Sequence, residues 1–73
     1  MKFTWEPNDL TLGMEICRNN TRYIIGYYVG ISTDQKYCLI DTRDGAVLQA
    51  QTKQELAAML NAGGYIPRYE YSF

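Results

Sequence analysis

Apolar and polar residues alternate with period two along most of this chain, and one stretch switches to a helical period. Leu10, Leu12, Met14 and Ile16 recur at every second position, with Gly13 where a strand would begin or bulge. This spacing predicts a first strand over about 12–18. Asn19-Asn20 follows as a turn signal, because Asn tolerates the left-handed backbone angles that a tight hairpin needs. A second strand is predicted from Arg22 to Ile31. It places Tyr23, Ile25, Tyr27, Val29 and Ile31 on one face, and Arg22, Ile24, Gly26, Tyr28 and Gly30 on the other. The polar stretch Ser32-Thr33-Asp34-Gln35 reads as a loop, and Lys36 to about Thr42 as a third strand. Asp44-Gly45 is a hairpin signal, leading into a short fourth strand from Ala46 to Ala50.

The period then changes. Thr52-Lys53-Gln54-Glu55 has the form of a capping box, in which the Thr52 hydroxyl accepts from the Glu55 amide and the Glu55 carboxylate reaches back to the Thr52 amide. Leu56, Met59 and Leu60 then form one helical stripe. Gly63-Gly64 ends the helix, Pro67 prevents it from resuming, and Tyr65 or Ile66 is placed to fold back on its last turn. Beyond it, Tyr69, Tyr71 and Phe73 alternate with Arg68, Glu70 and Ser72, which predicts a terminal strand with one aromatic face. At the other end, Phe3 and Trp5 suggest an extended aromatic arm, and Pro7-Asn8-Asp9 a turn that could be one turn of 3₁₀ helix.

Consecutive strands joined by short turns are antiparallel. The expected fold class is therefore α+β: a strongly curved antiparallel sheet of about five strands, as in a partly open barrel, with one helix between the last two. The helix lying across one face of an open sheet is the alternative. Gly26, Gly30 and the aromatic last segment favour the curved form, since glycine permits sharp bending.

The stretch Asp9-Leu10-Thr11-Leu12-Gly13-Met14-Glu15-Ile16 resembles the opening of many SH3-like small β-barrels, where Gly marks entry to the first strand. Tyr23-Ile24-Ile25-Gly26-Tyr27 and Asp41-Thr42-Arg43-Asp44-Gly45 look like hairpins of the same barrels. This resemblance spans about half the chain and implies a barrel fold without supplying catalytic residues. In size and style the chain also resembles small proteins carried by phages and prophages, some of which inhibit host systems.

Length and charge narrow the functional classes. With 73 residues there is room for a single domain, residues 1–73, and seven Tyr, two Phe and one Trp supply much of the apolar mass a small core needs. The formal charge of −1 disfavours a basic nucleic-acid binder. No 18-residue apolar run predicts a membrane span, and no secretory h-region is visible, so the expected setting is reduced and cytoplasmic. Cys17 and Cys38 lack further ligands at metal spacing and read as small apolar residues of the sheet. Asp41 and Asp44 read as turn residues, and Glu15 as a surface partner for an Arg. Histidine is absent, and no Ser or Cys has a local base, so the reading is a non-enzyme with no metal and no cofactor.

What remains is Tyr and Arg, the residues that anchor protein interfaces by joining a large apolar area to a polar tip. The candidate binding residues are Tyr28, Arg22, Arg68, Tyr69 and Tyr71. The expected function is a protein-interaction module, with a homodimer through an unprotected final strand as one form of it. Weak single-stranded nucleic-acid binding through the same Tyr/Arg surface is the alternative.

Overall fold

Asn19 and Asn20 both take left-handed backbone angles, with φ of 51° and 60°. Two such residues in succession give a hairpin whose twist matches that of its strands. In the computed structural model, which describes residues 3–27 and 37–72, this turn joins β1 (Glu15–Arg18) to β2 (Thr21–Tyr27). A second hairpin joins β3 (Tyr37–Asp41) to β4 (Val47–Ala50). Its Gly45 has φ 78° and donates to the Asp41 carbonyl at 2.8 Å, while the Asp44 carboxylate accepts from the Ala46 amide at 2.9 Å. Asp41 and Asp44 thus perform the expected turn chemistry.

Helix α1 (Lys53–Gly63) follows, then β5 (Ile66–Pro67). The Thr52 hydroxyl caps the helix by accepting from the Glu55 amide at 3.1 Å. The reciprocal bond differs from the expected one, because the Glu55 carboxylate accepts from the Gln51 amide at 2.7 Å, one residue earlier than Thr52. Gly64 closes the helix in the left-handed region at φ 72°, and the Tyr65 amide donates back to the Leu60 carbonyl at 3.1 Å.

The strand order is β4-β3-β2-β1-β5, with every neighbouring pair antiparallel. Counting directions along that order, β4 and β5 run the same way at opposite edges. The segment between them must therefore cross the sheet, and α1 makes that crossing over one face. Register puts Ile16 opposite Tyr23 and Ile25 opposite Leu39, so all four share the helix side. They pack with Leu56, Ala57 and Leu60 into the core. The N-terminal arm completes it. Trp5 is buried, its indole Nε1 donates to the Tyr65 carbonyl at 2.8 Å, and its backbone exchanges bonds of 2.7 and 3.0 Å with the Asn61 side chain.

Three expectations need correction. The sheet is neither closed nor strongly curled, since β4 and β5 remain as two separate edges. The helix already covers one face, so the sheet need not fold on itself. At Gly26 the space left by the missing Cβ is taken up by Cys38 Sγ and Ile40 Cδ1, which would lie 3.0 and 3.1 Å from such an atom. The last strand is β5, upstream of the expected one, and among the described residues the stretch from Arg68 to Ser72 forms no strand. Pairing stops at Pro67, and Arg68–Glu70 forms a 3₁₀ turn in which the Tyr71 amide donates to the Arg68 carbonyl at 3.1 Å. Alternation alone cannot detect such a turn when a proline precedes it. Finally, β1 begins later than expected. Gly13 at φ 83° and a Met14-to-Thr11 backbone bond make a turn of its first residues. The expected second-strand residues Tyr28 to Ile31 lie outside the described residues.

Candidate functional site

The expected site residues divide by position. Tyr28 lies outside the described residues. Arg22 is exposed on the sheet face away from the helix and pairs with Glu15 at 3.3 Å, the surface ion pair that the sequence suggested. The Tyr71 hydroxyl accepts from the Asn20 amide at 2.6 Å and donates to the Asn20 side-chain carbonyl at 3.0 Å, which ties the C-terminal segment to the β1–β2 turn. The Arg68 guanidinium donates to the Tyr71 carbonyl at 3.3 Å. Arg22 lies opposite Cys17 in the β1–β2 register, and Arg68 follows the Pro67 that pairs with Ile16, so Arg22, Arg68 and Tyr71 flank β1 and its turn. Tyr69, next to Arg68, is 74% exposed. Cys17 itself is buried with a free thiol whose pKa is pushed up by that burial.

The opposite edge carries features that the sequence reading passed over. Asp41 donates its amide to the Ala46 carbonyl at 2.8 Å. Antiparallel alternation then turns the backbone groups of Ala46, Leu48 and Ala50 towards β3, and those of Val47 and Gln49 outwards. Among the described residues no strand pairs with that outer edge. Val47 is 47% exposed and Leu48 50%, one on each face of the strand.

Beside β4, on the helix side of the sheet, lies a cleft of about 200 Å³ lined by Arg18, Tyr23, Leu39, Asp41, Leu48 and Tyr65, together with Ala46 and Val47. The Arg18 guanidinium lies over the Tyr65 ring, 4.4 Å from its centroid. Its Nη1 donates to the Gly63 carbonyl at 3.4 Å, a long bond, and its Nε is buried without an acceptor. Gly63 is needed for this arrangement, because a Cβ there would lie 2.5 Å from the Tyr65 ring. Tyr23 and Tyr65 meet edge to face at 5.1 Å, and burial pushes the Tyr65 phenol up. Asp41 is buried. Its carboxylate accepts from the Arg43 amide at 2.8 Å and meets the exposed Arg43 guanidinium at 3.4 Å. The signal for this cleft was present in the alternation, which puts Arg18 on the face of Ile16 and Asp41 on the face of Leu39. Charged residues on a buried face seldom lack a role.

No protein-family model, curated protein or solved structure compared with this chain matches it. Among the described residues no three His, Cys, Asp or Glu side chains group as metal ligands, and no helix is long and apolar enough to cross a membrane.

Proposed function

We propose that the protein is a non-enzymatic interaction module that binds by strand addition at β4, with a second copy of itself as the simplest partner. The observation that carries this reading is the outward edge of Val47 and Gln49, flanked by the half-exposed side chains of Val47 and Leu48. Exposed strand edges pair with other chains unless charge, proline or a covering segment blocks them, and Val47-Leu48-Gln49-Ala50 contains neither charge nor proline. Main-chain bonds would give such a complex its affinity, and the side chains on either side its selectivity. Single-stranded nucleic-acid binding has less support. The net charge is −1, and Tyr23 and Tyr65 are spent in the core instead of on an open stacking surface.

Light scattering coupled to size exclusion tests the proposal. The protein should show a concentration-dependent dimer, and Gln49→Pro should return it to monomer. Proline removes one outward amide, which an edge strand tolerates at a position that does not donate to its neighbour. A strict monomer at all concentrations that also fails to pair with added extended peptides would refute it.

A further inference from the structure

We propose that the cleft between Arg18, Tyr23, Asp41 and Tyr65 binds the carboxylate of a monoanionic ligand with an apolar body. An arginine carries five N–H donors in a planar fork that suits a carboxylate. Arg18 makes one long hydrogen bond, to the Gly63 carbonyl, and its Nε is buried with no acceptor among the described residues. Among the described residues it forms no ion pair. A half-buried cation left this way costs free energy, and a carboxylate entering the cleft would give charge-assisted acceptors to the part of Arg18 that lines it. Stacking on Tyr65 fixes the plane of the guanidinium, so little side-chain freedom remains to be lost on binding.

The rest of the lining sets the ligand class. Leu39 and Leu48 offer apolar surface to a hydrocarbon body. Asp41 contributes negative charge to the same cleft, and its carboxylate is already engaged by Arg43. That charge opposes a dianion such as phosphate more than a single carboxylate. The ligand can be a free organic acid or the terminal carboxylate of a peptide, since the two present the same group. The site goes beyond the strand-addition reading and does not need it, because the cleft lies on one face of the sheet whereas pairing uses the outward backbone of β4.

Amide and side-chain NMR of the labelled full chain tests this with hexanoate, hexanamide, inorganic phosphate, and an acetylated Val-Leu-Leu peptide with a free or an amidated terminus. Hexanoate, the free-acid peptide or both should give saturable shifts at Arg18 Nε and at the amides of Leu48 and Tyr65, and which of them binds identifies the source. Hexanamide and the amidated peptide should bind roughly ten- to a hundredfold more weakly. Arg18→Gln should abolish the shifts. Should that variant lose its fold, Asp41→Asn decides, since removal of the opposing charge should tighten hexanoate binding severalfold. Gln49→Pro should leave hexanoate binding unchanged whatever it does to association, which separates failure of this site from failure of the edge. Equal binding of acid and amide, phosphate binding as tight as hexanoate, no saturation by about 10 mM of either acid, or no gain in Asp41→Asn would overturn the proposal.

Discussion

At one edge of the sheet, β5 contributes only Ile66 and Pro67. Its proline is buried, and the chain then turns into a 3₁₀ segment whose Tyr71 hydroxyl is tied to Asn20. At the other edge, β4 presents four residues with neither proline nor charge, two of them half-exposed aliphatics. The same sheet thus ends once in a short, capped strand and once in an open one. A β5-like ending removes donors and shortens the template for pairing; β4 retains both. The contrast indicates that an unprotected edge is not forced on so small a domain, and it locates the proposed association at β4 instead of at the C-terminal segment.

The helix that links the two edges in the chain supplies much of the core, so the largest effect comes from loosening it. Leu60→Ala should cost about 2–5 kcal/mol in chemical denaturation, because Leu60 is fully buried in the core under the helix. Near-zero loss would mean that α1 does not pack on the sheet through Leu60. Gly63→Ala should cost about 1–3 kcal/mol, since the added methyl meets the Tyr65 ring on the β5 side. Thr52→Ala, on the β4 side, should cost about 1 kcal/mol through loss of the helix cap. Equal costs for these last two would blur the difference in how the two edges are anchored.

Alkaline pH bears on the capped side. Burial raises the Cys17 thiol above 9.0 and the Tyr65 phenol above 10.0. The folded chain therefore keeps protons that the unfolded chain releases, and folding stability falls with rising pH. The contribution should be complete below about 9 and be lost as pH climbs through the raised folded values. Urea midpoints measured from pH 8 upwards check this, and Cys17→Ala should flatten the first part of the decline. The smallest effect belongs to Arg22→Ala. Its exposed pair with Glu15 should change stability by no more than about 0.5 kcal/mol. A larger loss would show that the Arg22–Arg68–Tyr71 group does more than decorate the capped end.

Much of this molecule could be read from short-range pattern. The Asn19-Asn20 hairpin, the Asp44-Gly45 turn, the Thr52 cap, the Leu56/Leu60 stripe and the Gly64 terminator are local, because each depends on backbone angles or on bonds spanning a few residues. Even the faces of the strands followed from alternation. Arg18 and Asp41 were legible as charges on buried faces, although what surrounds them was not. Tertiary structure alone decided three things: that the helix crosses the sheet so that the sheet stays open, that the segment after Pro67 coils instead of pairing, and that Arg18 meets Tyr65 above Gly63. Each depends on residues more than forty positions apart or on which surface is already covered. Periodicity carries a residue's side of its own element, and it holds no information about which other element arrives there first.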